Sequence, residues 1–160
     1  MKAFPRCLWL ALLLLPAPAH AETQVQKLLD NLTLTAVSLL GTPYVYGGAD
    51  PRQGLDCSGL VQFVYRQVGE YLPHNALAMS RLGTSVQEKA LHPGDLVFFD
   101  TLGRPFSHVG IYLGDDRFIH AAGAGAEHVM ISRLSDPYWQ DHFDGARRLL
   151  GLHLPATAAQ

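Results

Sequence analysis

The chain is poor in charge: only 16% of its 160 residues are Asp, Glu, Lys or Arg, while 48% are apolar. A soluble domain usually carries about a quarter charged residues, so the composition suits one compact domain with a sizeable core. A basic excess is also lacking, since 12 Lys and Arg stand against 14 Asp and Glu. That excludes nucleic acid and an anionic membrane surface as expected partners. The longest apolar run, Leu8 to Leu15, is about half of the ~20 residues a membrane span needs. No internal repeat and no composition shift marks a second domain. Cysteine is nearly absent, with only Cys7 and Cys57.

What stands at the start is "MKAFPRCLWLALLLLPAPAHA": Lys2 and Arg6, the short apolar core, two prolines and the triplet Ala19-His20-Ala21. This is the pattern of a secretory signal peptide over residues 1–21, with cleavage expected after Ala21. A periplasmic or secreted protein with no membrane anchor after cleavage follows. Cys7 lies within the apolar core rather than after a cleavage site, which argues against a lipidated N-terminus. Removal of this segment leaves 10 basic and 14 acidic side chains and a single cysteine, Cys57, in a compartment where thiols normally pair.

Apolar residues at Val25, Leu28, Leu29, Leu32, Ala36, Leu39 and Leu40 predict an amphipathic helix over 25–40, ended by Gly41. "GTPYVYGGADPRQGLD" reads as an ordered loop. A second helix is expected from Cys57, with Leu60, Val61, Val64, Tyr65 and Val68 on one face and Gly69 as its stop. A short helix is expected near 75–82. Pro93-Gly94 turns into the strand "DLVFF", and "SHVGIYLGDDRFIHA" alternates as a β-hairpin. Strands near 128–131 and 146–150, with a helical turn at "YWQDHF" before the second, complete an antiparallel sheet. Helices followed by strands make the fold class α+β.

Cys57 opens a helix after a glycine-rich approach, where unsatisfied N–H groups and the helix dipole favour a thiolate. A thiol pKa lowered from its ordinary ~8.5 is therefore expected, and with it a nucleophile. A small buried hydrophobe is the alternative role for a lone cysteine. A nucleophilic thiol needs a base, and of the histidines two lie in the hairpin, His108 and His120. With an odd loop, such as Gly114-Asp115-Asp116, both project from one face, and Val109, Ile111, Leu113 and Ile119 from the other. An even loop would separate them. One imidazole could then take the thiol proton while the second orients it, a triad with His as third member. The backbone N–H of Cys57 and the phenol of Tyr44 are candidate oxyanion donors, with loop packing the alternative for Tyr44. Cys57, His108 and His120 are also a ligand set that zinc accepts, although the short spacings of zinc sites are absent.

In this order, "GTPYVYGG", "GLDCSGLVQFVY", "LHPGDLVFF", "SHVGIYLGDDRFIHA" and "YWQDHFDGARRL" resemble the NlpC/P60 family of papain-like cell-wall peptidases. The resemblance runs from about Leu39 to Leu149. It implies a papain-like fold, N-terminal helices on an antiparallel sheet, for a catalytic domain over 22–152 with a loose tail at 153–160. By motif position Cys57 is the nucleophile, His108 the general base and then acid, His120 the orienting member and Tyr44 an oxyanion donor. Asp56 and Ser58 would contact the substrate peptide, with helix capping and first-turn hydrogen bonding as their alternative roles. No cofactor is implied. The implied substrate is the stem peptide of peptidoglycan, cut at the γ-D-glutamyl-diamino acid bond or at the cross-link. Amidase or acyl-transfer chemistry on another substrate, a silent wall-binding module and an inhibitor-controlled toxin are the competing readings. The wall-binding module that many relatives attach is not expected here.

Overall fold

The computed structural model describes residues 19–123 and 125–149. Most of the expected signal segment and the tail at 153–160 lie outside the described residues. The first helix, α1, spans Ala19–Ser38, longer at its start than the apolar periodicity suggests. Leu32 and Ala36 on one side of it, and Leu39 just past its end, are buried. The glycine-rich loop that follows carries a two-stranded ribbon, β1 (Ala49–Asp50) and β2 (Gly54–Leu55), which sequence periodicity does not show.

Helix α2 runs Cys57–Arg66 and buries Leu60, Val61, Val64 and Tyr65. It starts where expected because Asp56 caps it, accepting the Gly59 N–H at 2.6 Å. Helix α3 is a single turn, Ala76–Met79, capped by Asn75. Then come β3 (Thr84–Val86), a 3₁₀ turn at Glu88–Ala90, β4 (Leu96–Phe99), β5 (His108–Gly114), β6 (Arg117–Ala122), β7 (His128–Arg133), α4 (Pro137–Asp141) and β8 (Phe143–Arg148). One antiparallel sheet has the order β3-β8-β4-β5-β6-β7. The expected α+β class is found. The last strand begins three residues before the expected Ala146, and β3 is an additional edge strand.

The sheet has two different faces. Phe98, Val109, Ile111, Ile119 and Ala121 share one buried cluster with Leu60, Val61 and Val64 of α2. The alternate residues Val97, Phe99, Phe118 and Ala146 form a second cluster, against which Trp139 of α4 packs. Period-two alternation assigns each strand residue to one cluster or the other. Far from the helix N-terminus, Arg148 makes a two-pronged ion pair with buried Asp95, both contacts at 2.7 Å, tying β8 to the start of β4.

The hairpin reaches its expected parity by an unexpected route. Its tip is a two-residue turn, Asp115-Asp116, both at positive φ, closed by the pair Gly114 and Arg117. An even turn alone would place His108 and His120 on opposite faces. The register shifts by one residue between Tyr112 and Gly114, so Tyr112 pairs with Phe118 and Ile111 with Ile119. This bulge at Leu113 restores an odd count and returns both histidines to one face.

Candidate active site

The N-terminus of α2 is the origin of the site. The two carboxylate oxygens of Asp56 do more than cap: Oδ1 also receives the Ser58 hydroxyl at 3.0 Å and meets the His74 ring at 2.9 Å, and Oδ2 receives the Gly47 N–H at 3.0 Å. One side chain thus joins the glycine-rich loop, α2 and the segment before α3. The loop lies so close that a Cβ on Gly59 would collide with the Gly48 carbonyl. Only glycine permits that seat, and it delivers Tyr44 to the cavity beside Cys57.

Cys57 is partly exposed at the floor of a cavity of about 640 Å³, whose wall includes Tyr44, Asp56, Ser58, His108, His120 and Trp139. Backbone hydrogen bonds from Val109, Ser58 and Cys57 itself bear on the sulfur. The Val109 contact puts the thiol at the start of β5, whose first residue is His108. His108 and His120 project from the face opposite the α2 core: His108 pairs with Phe99 across β4 and β5, and the His120 ring lies 5.0 Å from that of Phe118. His108 Nε2 and His120 Nδ1 are hydrogen-bonded at 2.9 Å. Both rings are buried, at 9% and 1% exposure. Trp139 stacks on His108 at 5.7 Å and meets His120 edge-on at 4.8 Å, closing the outer side of the pair.

The expected lowering of the thiol pKa is not found. Burial, followed by the negative charge of Asp56, pushes Cys57 up to about 11, against the opposing pull of the backbone hydrogen bonds. The carboxylate that caps the helix acts against the N–H groups at the same helix start. Burial pulls His108 down to about 4, although Asp56 works the other way, and burial with the neighbouring His108 lowers His120 as well. Burial thus favours the neutral thiol and the neutral imidazoles over an ion pair. Burial and the charges of Cys57 and Asp56 raise the Tyr44 pKa, so its phenol stays a hydrogen-bond donor.

Zinc fits poorly. Among the described residues no group of three His, Cys, Asp or Glu is arranged to hold a metal ion. The facing nitrogens of His108 and His120 are turned to each other rather than to a common centre.

All six sequence-predicted residues, Tyr44, Asp56, Cys57, Ser58, His108 and His120, line the one cavity. Three others were missed. His74 is held by Asp56, Trp139 covers the imidazoles, and Ser132 on β7 lies 3.0 Å from His120 Nε2. Ser132 was within reach of sequence reasoning: pairing β6 with β7 sets it opposite Phe118, diagonal to His120 on the same face. His74 and Trp139 come from irregular or short segments with no period to read.

A family model described as "NlpC/P60 family" matches residues 41–148. The Gamma-DL-glutamyl hydrolase of Bacillus subtilis (strain 168) is 44% identical over 140 residues, covering 86% of this chain and 32% of that protein. The Murein DD-endopeptidase MepH of Escherichia coli (strain K12) is 40% identical over 138 residues, covering 84% of this chain and 50% of that protein. The chain thus spans about half or less of the length of these curated relatives. The crystal structure of an NlpC/P60 family protein from Bacillus cereus superimposes with a TM-score of 0.71 at 35% identity, covering 76% of this chain and 40% of that one.

Proposed function

Because the chain belongs to the NlpC/P60 family, we propose that it is a peptidoglycan hydrolase, a cysteine endopeptidase acting on the stem peptides of the wall. The observation that carries this reading is the 2.9 Å imidazole pair in one cavity with the free thiol of Cys57 at a helix N-terminus. Named activities of the relatives, a glutamyl hydrolase and a murein endopeptidase, agree with it.

The neutral resting state dictates the order of events. His108 Nε2 is occupied by His120, which leaves Nδ1 for the thiol. As sulfur attacks the amide carbonyl, its proton passes to Nδ1, so thiolate and imidazolium exist only along the reaction path. Asp56, which favours the charged form of His108, and the His120 nitrogen that accepts from Nε2–H both stabilise that imidazolium. The oxyanion is received by the Cys57 backbone N–H and the Tyr44 phenol. His108 then protonates the leaving amine and activates the water that releases the thioester. Asp56 and Ser58 meet the peptide at the cavity wall while holding the helix start. The expected signal segment over 1–21 would place the domain over 22–152 in the periplasm or outside the cell, where this substrate is found.

Digestion of purified muropeptides by wild type and Cys57→Ser, with mass analysis of the products, tests the reading. Wild type is expected to cut either the γ-D-glutamyl-diamino acid bond or the cross-link, and the variant neither. Equal product from both proteins would end the cysteine mechanism.

A further inference from the structure

We propose that Ser132 is a positioning residue that terminates the imidazole chain and sets the direction of its hydrogen bonds. The inference rests on the reading of His108 as the base. Two contacts in series define the chain, His108 Nε2 to His120 Nδ1 at 2.9 Å and His120 Nε2 to Ser132 Oγ at 3.0 Å, and leave His108 Nδ1 as the nitrogen for the thiol that lines the same cavity. A neutral imidazole has one donor and one acceptor nitrogen, so choosing the role of one atom fixes all the others.

His108 can accept the thiol proton only if its Nδ1 is bare. Its Nε2 then carries hydrogen and donates to His120 Nδ1. His120 in turn carries hydrogen on Nε2, which must find an acceptor. That nitrogen belongs to a ring exposed by only 1%, and Ser132 Oγ is its one hydrogen-bond partner among the described residues. The serine hydroxyl accepts with a lone pair and turns its own hydrogen into the cavity it lines.

The reverse direction makes every atom change role. If His120 Nε2 were bare, its Nδ1–H would donate to His108 Nε2, and His108 would present Nδ1–H to the sulfur. Such a ring cannot take a proton from the thiol. Removing Ser132 Oγ strands the His120 Nε2–H in a buried site, a larger penalty than a bare acceptor nitrogen would carry there. The population should therefore shift toward the unproductive direction without any change at Cys57 or His108.

The test uses the full chain and reads tautomers and turnover separately. In wild type, ¹⁵N NMR of the imidazoles near pH 7 should show both His108 and His120 protonated on Nε2. Ser132→Ala should move a measurable fraction of both to Nδ1–H. It should lower kcat on muropeptides about tenfold to a hundredfold at little-changed KM. Ser132→Thr, which restores the hydroxyl, should recover both readouts. Ser132→Cys, close in shape and a weak acceptor, should behave like the alanine variant and serves where that variant does not fold. Wild-type tautomers in Ser132→Ala or Ser132→Cys would overturn the proposal, even if kcat fell, because only a structural role would then remain. Failure of the catalytic reading shows elsewhere, as muropeptide cleavage that survives Cys57→Ser.

Discussion

The two faces of the sheet are made by the same strands and do opposite work. On the α2 side, Val109, Ile111 and Ile119 meet Leu60, Val61 and Val64 in a wholly apolar contact. On the other side, one residue along each strand, His108 and His120 share aromatic surroundings with Phe99, Phe118 and Trp139. Burial stabilises the first face in proportion to apolar area. On the second it supplies no comparable gain for the imidazoles, and instead holds them neutral and next to one another. The comparison shows that one degree of burial can act as cohesion or as chemical tuning, depending on which residue the alternation presents.

The sharpest way to break the comparison is on the imidazole face. His108→Ala should lower muropeptide cleavage about a thousandfold or more, while the melting temperature stays within a few degrees of wild type. Unfolding of that variant at room temperature would mean that the pair also carries cohesion. The converse change, Leu60→Ala on the α2 face, should cost about 2–5 kcal/mol in denaturant unfolding. Turnover per folded molecule should stay close to wild type.

The pH dependence sharpens the contrast further, because only one face titrates. His108 stays neutral down to about 4 in the folded protein, whereas an unfolded histidine protonates near ~6.5. The His108 contribution to stability is thus complete above ~6.5 and falls by about 3 kcal/mol as the pH drops through the folded value of about 4, and buried His120 adds a loss of the same sign. His108→Gln should lessen that slope in pH-resolved unfolding and leave the part due to His120. The same neutral state predicts that iodoacetamide labels Cys57 ever faster as pH rises past 9, since the thiol ionises near 11. A labelling rate already level at pH 7 would instead reveal a resting ion pair.

The smallest effect concerns the loop that meets the imidazole face. A Cβ on Gly123 would lie 2.9 Å from Tyr44 Cζ, so Gly123→Ala should displace the phenol. Loss of one oxyanion donor sets the upper limit at about a thousandfold in kcat, and a ring that moves by a few tenths of an ångström should forfeit about tenfold or less. Unchanged kcat would remove Tyr44 from the mechanism.

What the sequence revealed follows from where a period exists. Helix α2 and the hairpin have clear three- to four-residue and two-residue patterns, and their apolar positions occupy the cluster that these patterns imply. Strand β3 has three residues, all at least partly exposed, so no alternation could announce it. The bulge at Leu113 was equally hidden, because a skipped hydrogen bond leaves no mark on residue type. The Cys57 ionisation was misjudged for a different reason. A sequence shows the helix start but not how deeply the thiol sits, nor how its burial and the Asp56 charge weigh against the N–H groups. Ser132 and Trp139 matter through contacts across space, with strand pairing alone able to bring the first into view.

The bulge at Leu113 has a consequence for how this gene can change length. Hairpin tips usually tolerate added or lost residues better than any other part of a sheet. Here the tip behaves like a two-position switch. Losing Leu113, or gaining one residue on either side of Asp115-Asp116, would turn His120 into the apolar core and Ile119 out of it. Two added residues would leave every side chain where it is. Natural variation and library design at this turn should therefore proceed in pairs, and a single-codon deletion far from Cys57 should disable the molecule as thoroughly as losing the thiol.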